Sequence, residues 1–300
     1  MKLNVFDDIV VPIHSRDGSP KVIGDTARLR EVVLCPPSYL APVPCCSVTR
    51  EKLRDGFQTD TELAGRQHRV LQRALERFGV QCHVIPAAPD MPDLSFTRDV
   101  AATTPWGLVL LNPAMPHRSI EVEHFSAAIE RISGVPARRI TDGFIEGGDV
   151  CVARPGLLIV GVSGDRTDQR GADAFARLFR EQSWEVITYR FDPHFLHLDT
   201  IFCMLDDATA LACTDVLDNG FLDQLEDRGI KVIPVSYKEA RRLGCNVVSI
   251  DGKTIFTSDR EPRVAEALRQ SGYRVETFDI SEFSACGGGI HCLTMPLARG

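Results

Sequence analysis

The chain has 300 residues, 44% hydrophobic and 25% charged, with a net charge of −7 and a pI near 5.6. Such a composition describes a globular protein with a sizeable core, and its acidity argues against a nucleic-acid surface. No apolar run reaches membrane-helix length, and the start lacks a basic stretch leading into an apolar signal core. A cytoplasmic location is the expectation. Ten cysteines are scattered without a Cys-x-x-Cys pair, so reduced thiols are expected rather than a disulfide framework or a zinc site.

In chain order, the first strand is expected at 31–34, followed by Cys35-Pro36-Pro37 and the tandem Cys45-Cys46, read as a packed loop. A helix at 60–79 carries Ala64, His68, Leu71, Leu75 and Phe78 on one face, with Asp60 or Thr61 as its cap and Gly79 as its stop. His68 on that stripe reads as a packed histidine. A strand at 82–85 comes next. Asp99, after Phe96-Thr97-Arg98, stands at the entrance to another strand beginning Val100-Ala101-Ala102. Further on come a strand at 108–111 and a helix at 119–133. The pair Arg138-Arg139, like Arg241-Arg242, reads as a solvated helix or turn face.

The segment Glu146-Gly147-Gly148-Asp149 precedes another strand and, taken alone, is a turn in which Asp149 bonds backbone amides. A buried strand at 157–162 and a helix at 167–182 follow. His197-Leu198-Asp199, if extended, would turn both polar side chains to one side. The remaining strands fall at 208–213, 231–235, 247–250 and 274–278, and the remaining helices at 215–228, 236–243 and 260–271. Near the C-terminus, Gly287-Gly288-Gly289-Ile290-His291-Cys292 places a cysteine shortly after a glycine triplet. Short strands alternating with helices give an α/β class. With no low-complexity linker, residues 1–300 read as a single domain of about five units, each mixing strands with one helix.

Phe96-Thr97-Arg98-Asp99, Glu146-Gly147-Gly148-Asp149, His197-Leu198-Asp199-Thr200 and the glycine-rich cysteine segment, in this order, resemble the guanidine-modifying enzyme superfamily. Arginine and agmatine deiminases, dimethylarginine dimethylaminohydrolases and amidinotransferases belong to it. The resemblance implies a five-bladed α/β propeller (pentein) with pseudo-fivefold symmetry and a site in its central channel. It implies Cys292 as the nucleophile, His197 as acid and then base, and Glu146 as the group that orients His197. Asp99 and Asp199 would hold the guanidinium by charge-assisted hydrogen bonds. No metal or organic cofactor is implied. The partner would be a small guanidino substrate, with neither nucleic acid nor membrane, and the prevalence of closed dimers makes a homodimer the default assembly.

Asp199 matches members that act on unsubstituted guanidinium groups. The stretch 161–172 and Pro92-Asp93 look more like dimethylarginine hydrolases. On that likeness Arg166, with Arg118, would clamp an α-carboxylate, and Asp93 would contribute to substrate binding. Gly287 stands where arginine deiminases carry an arginine and dimethylarginine hydrolases often an aspartate. The resemblance thus implies a cysteine-dependent hydrolase of arginine or an N-substituted arginine, giving citrulline plus ammonia or an alkylamine. The alternatives are an amidinotransferase, an arginine dihydrolase giving ornithine, and a silent arginine-binding propeller.

Overall fold

The computed structural model describes residues 22–133 and 137–300. Strands and helices alternate: β1 (Leu29–Leu34), α1 (Ser47–Arg54), α2 (Thr61–Arg77), β2 (Gln81–Val84), β3 (Ala101–Thr104), β4 (Gly107–Leu110), α3 (Pro116–Ser133) and β5 (Arg138–Arg139). The chain continues through β6 (Val150–Arg154), β7 (Leu157–Val162), α4 (Gln169–Arg180), β8 (Glu185–Arg190), β9 (Phe202–Asp206), β10 (Thr209–Cys213), α5 (Asn219–Glu226) and β11 (Lys231–Val235). It ends with α6 (Tyr237–Ala240), β12 (Val248–Ser249), β13 (Thr254–Ser258), α7 (Pro262–Gln270), β14 (Arg274–Phe278), α8 (Ser281–Ala285) and β15 (Met295–Arg299).

The strands form five three-stranded sheets, ordered β15-β1-β2, β3-β4-β5, β6-β7-β8, β9-β10-β11 and β12-β13-β14. In each, the first strand is antiparallel to the second and the second parallel to the third. A tight turn can join an antiparallel pair, but a parallel pair needs a crossover, and α2, α3, α4, α5 or α7 lies in each one. The first sheet is assembled from both ends of the described chain, because β15 pairs with β1.

Burial follows this layout. The middle strand β7, Leu-Leu-Ile-Val-Gly-Val, is buried throughout, whereas the third strands β2, β11 and β14 are largely half-buried or exposed. Pro234 is tolerated in β11 and Pro296 in β15 because both are edge strands. Asp60, Asp168 and Asp218 start α2, α4 and α5 by accepting the amides of Leu63, Gly171 and Phe221 at 2.8–2.9 Å. His68 lies on the buried face of α2, as its periodicity predicts. Phe175 and Phe179 of α4 join Leu158 and Val160 of β7 in one apolar cluster, against which Trp106 and Trp184 pack.

Two local expectations are corrected. Arg138 and Arg139 are not a helix or turn face but the two-residue edge strand β5, paired with Val109 and Leu110. Residues 197–199 are not an extended strand: Leu198–Thr200 form a 3-10 turn, and only His197 before it is extended, at φ −137° and ψ 163°. The turn sends His197 and Asp199 to different partners, as described next.

Candidate active site

Each sheet is entered through a short segment that carries polar residues. A 3-10 turn at Thr97–Val100 precedes β3, a second at Gly147–Asp149 precedes β6, and the third at Leu198–Thr200 precedes β9. Asn246 stands just before β12, and His291-Cys292 just before β15. The first turn packs on the second, and the second on the third. Glycine permits this approach: a Cβ on Gly148 would lie 2.6 Å from the His197 ring, and one on Gly289 would lie 2.3 Å from Asn246 Oδ1.

Glu146, His197 and Arg166 form one buried group. His197 Nε2 is 2.7 Å from Glu146 Oε2, and Arg166 donates to that same oxygen at 3.0 Å. The second Glu146 oxygen accepts the Ala114 amide at 3.2 Å. Burial would raise a lone Glu146 carboxyl, but Arg166, His197 and Arg118 hold it well below the usual range. Burial would likewise lower His197. Asp99, the Glu146 hydrogen bond and Asp149 outweigh it and push the imidazole up to about 10.

Asp99 joins this group to the rest of the site. Its Oδ1 accepts the Gly148 amide at 3.1 Å and lies 3.8 Å from His197 Nδ1, while Oδ2 accepts Arg118 at 2.6 Å. Arg118 is fully engaged: it also donates to Glu121 at 2.9 Å and to the carbonyls of Asp93 and Phe96 at 3.2 and 3.0 Å. The expected clamp therefore has its fork turned into the protein, on Asp99. Arg166 is similarly tied, since besides Glu146 it reaches the Cys45 carbonyl at 3.3 Å. Asp93 bonds His117 Nε2 at 2.8 Å.

The thiol occupies a second group. Cys292 Sγ receives the Asn246 amide at 3.3 Å and lies 3.6 Å from Asp199 Oδ2, which also bonds His291 Nδ1 at 2.8 Å. Burial, with Asp199 and Asp99 adding to it, raises the Cys292 thiol well above its ordinary value. Burial raises Asp199 too, but the His291 hydrogen bond overcomes it and keeps that carboxyl low. Asp99 thus acts electrostatically on both the imidazole and the thiol. Two buried atoms beside these groups, Asp199 Oδ1 and His197 Nδ1, have no hydrogen-bond partner among the described residues.

Both reactive side chains are buried: Cys292 is 2% exposed and His197 1%. A small cavity touches the group at Gly148, Asp199 and His291, and a second borders it at Cys46, Thr200 and Gly287. Neither is lined by Cys292 or His197.

Sequence reasoning missed Asn246, gave His291 no role and read Asp149 as an ordinary turn residue. Asp149 is fully buried and accepts the Leu198 amide at 2.8 Å, which fixes the backbone beside His197. The usable signal was position: each of these residues stands just ahead of the strand that opens its sheet. Among the described residues, two sets of side chains have a metal-ligand spacing, Asp99–Glu146–His197 and Cys45–Asp93–His117. The first set is already compensated by Arg118 and Arg166.

The comparisons place the chain in the guanidine-modifying superfamily. Within it, residues 47–299 match the family described as N,N dimethylarginine dimethylhydrolase, eukaryotic, and the chain belongs to that family. Its relatives are hydrolases of guanidino carbon–nitrogen bonds, and this chain is one of them. It is 29% identical to the Bacillus subtilis protein YkgA over 91% of this chain and 93% of that one. It is 26% identical to an N(G),N(G)-dimethylarginine dimethylaminohydrolase of Mycobacterium tuberculosis, over 94% and 90%. An arginine deiminase of Listeria welshimeri is 28% identical over 70% of this chain, which spans 62% of that enzyme. Among solved structures, the fold matches the substrate-bound N-terminal domain of ArgZ, a cyanobacterial arginine dihydrolase, with a TM-score of 0.77 at 22% identity. That match covers 90% of this chain and 98% of the domain. A dimethylarginine dimethylaminohydrolase adduct matches at 0.73 and 22%, covering 89% and 99%.

Proposed function

We propose that the protein hydrolyses the guanidinium group of arginine or an N-substituted arginine through a covalent bond to Cys292, giving citrulline plus ammonia or an alkylamine. The observation that carries this is two buried, unpartnered atoms: Oδ1 of Asp199, the carboxylate that lies against the thiol, and Nδ1 of His197. A planar cation with several N–H donors suits the carboxylate oxygen, and a nitrogen of the leaving group suits the ring nitrogen.

The chemistry runs in two halves. A guanidinium held by Asp99 and Asp199 brings positive charge next to Cys292, which favours loss of the thiol proton to solvent and leaves the thiolate, the form that attacks. Sulfur bonds to the central carbon. As the carbon–nitrogen bond breaks, the leaving amine takes a proton from His197, leaving an S-alkylthiouronium on Cys292. Water then gives one proton to His197 and bonds through oxygen to the carbon; as the carbon–sulfur bond breaks, the added hydroxyl passes its proton to the released amine, leaving the ureido carbonyl and the thiolate. A histidine already protonated in the free protein suits this order, acid first and base second. Glu146 supports the imidazolium, and Arg166 holds Glu146 as an anion. Arg118 positions Asp99, in place of the carboxylate clamp expected of it. Arg166 and Asp93 remain the groups proposed to meet the amino-acid end of the substrate.

The fold proposed with this function is a five-bladed α/β propeller, in one domain, whose entry segments converge on its axis. Five sheets of one topology and the pairing of β15 with β1 support it. Ten free cysteines fit a reducing compartment such as the cytoplasm.

The test is product analysis by mass spectrometry with arginine, monomethyl- and dimethylarginine, agmatine, citrulline, and arginine plus glycine. Citrulline from arginine or a methylated arginine is the expected product. Ornithine formed without a new guanidino compound would move the assignment to a dihydrolase, and transfer to glycine would move it to an amidinotransferase.

A further inference from the structure

We propose that Arg98 and Arg299 form a binding site for one small monovalent anion, separate from the substrate site and next to Asp199. Two cavities share Asp25 and Val150 as walls; Arg299 lines the one that touches Asp199 and His291, and Arg98 lines the other. Cys292 and His197 line neither. The two arginines are 6% and 2% exposed. Even so, Nε and Nη2 of Arg98 and Nε of Arg299 have no hydrogen-bond partner among the described residues. Buried guanidinium donors are costly to leave unpaired, so these three nitrogens call for an acceptor. Both residues are held in place. Nη1 of Arg299 donates to the Ala27 and Ser249 carbonyls at 2.7 and 2.8 Å, and the Arg98 amide donates to the Cys292 carbonyl at 3.2 Å.

Charge sets the class of ligand. Asp25 pairs with Arg98 at a loose 3.9 Å and also acts electrostatically on Arg299. The other Asp25 oxygen accepts the Val152 amide at 3.0 Å. One carboxylate thus serves two guanidiniums. Asp199 does not supply the difference: His291 and the thiol hold its Oδ2, and its Oδ1 is the atom assigned above to the substrate. Burial, and with it the like charge of Arg98, lowers Arg299 to about 10 in spite of Asp25. A single negative charge balances the surplus. A halide carries that charge in a small sphere that accepts N–H groups from any direction. A dianion would overshoot the surplus and give up far more hydration on entering.

Arg98 already acts electrostatically on both Asp199 and His291. An anion on Arg98 offsets that positive charge and strengthens the pull of Asp199 on a cation. Anion and guanidino substrate should therefore bind with positive coupling, each tightening the other by the same factor. The coupling rests on the function proposed above; the anion binding does not.

Bromide is the crystallographic probe, because its anomalous scattering separates it from water. Crystals of the full chain grown in bromide should show one anomalous peak within hydrogen-bond reach of Arg98 and Arg299. In solution, chloride added to halide-free protein at constant ionic strength, with gluconate as the balancing anion, should raise the melting temperature. That rise should saturate in the millimolar range and vanish in Arg299→Gln. Ordered water with no anomalous peak would overturn the proposal, and so would a saturable rise that persists in Arg299→Gln. A bromide peak without a saturable millimolar shift would mean an adventitious ion only, which overturns it too. The wild-type peak decides the matter even if Arg299→Gln fails to fold. In turnover assays saturating chloride should lower KM for the guanidino substrate about fivefold or more. Saturable binding with an unchanged KM would remove the coupling alone.

Discussion

The two halves of the site are equally buried and respond to burial in opposite ways. Around His197, charges meet opposite charges at short range: Glu146 at 2.7 Å from the imidazole and 3.0 Å from Arg166, and Asp99 at 2.6 Å from Arg118. There pairing prevails, and the imidazole is pushed up to about 10. In contact with Cys292 are the Asp199 carboxylate and the Asn246 amide, and Asp199 bonds His291, whose basicity burial lowers. There burial prevails, and the thiol is held protonated. The lesson is where the missing charge belongs. Without ligand the acid is loaded and the nucleophile is not, and a cation placed between Asp99 and Asp199 supplies what the thiol side lacks.

The sharpest way to break that contrast is at the sulfur. Cys292→Ser should abolish turnover, by roughly 10⁴-fold or more, while arginine or a methylated arginine still binds. Calorimetry and product assays on the same preparation check both parts, and undiminished turnover would remove the covalent step. Next in size is Glu146→Gln. It takes away the imidazolium's anion and leaves Arg166 as an uncompensated buried charge. Turnover should fall about 10²- to 10⁴-fold, with a stability loss of about 3–5 kcal/mol by denaturant titration. A variant of unchanged stability would show that Arg166 does not depend on Glu146.

The legible parts of this protein are those that depend on periodicity or on rare residue combinations. The apolar strand β7 and the helix carrying Leu71 and Leu75 announce themselves, because burial on a fixed face dictates their spacing. Strands β9 and β15 do not. Phe-Cys-Met-Leu-Asp and Met-Pro-Leu-Ala-Arg are short and nearly all buried, and they show no alternation. In the site, Asp99, Glu146, His197, Asp199 and Cys292 stand out through their motifs, and the fold gathers them. The direction in which Arg118 points was not legible: its fork is settled by Glu121 and two backbone carbonyls that no motif reveals. Asn246 was hidden for a different reason. A lone asparagine ahead of a strand looks like any turn residue until the fold brings it to the thiol.

Asn246 therefore gives a finer test of the thiol side. Its amide donates to Sγ at 3.3 Å, and its carbonyl accepts the His291 amide at 2.9 Å. Asn246→Ala removes a donor that favours the thiolate and should slow turnover about tenfold, the cost of one charge-assisted hydrogen bond. Site-resolved alkylation of Cys292 against pH should show its midpoint rising further in this variant. An unmoved midpoint would assign Asn246 to backbone support only.

The smallest effect concerns the other half, and its sign is fixed by linkage. His197 is raised from an unfolded value near 6.5 to about 10. A raised histidine binds its proton more tightly when folded, so its contribution is complete below about pH 6.5 and fades as pH climbs toward 10. Asp149, whose carboxyl burial pushes up to about 7, acts lower: its native state loses stability as pH rises between about 4 and 7. Melting temperature should accordingly decline from about pH 6.5 to 10, and the decline should be shallower in His197→Gln, which has no proton to lose. Equal slopes in the two proteins would mean that His197 is neutral in the free site. It would then lack the proton that the first half-reaction requires, and a water or the substrate itself would have to supply the leaving amine.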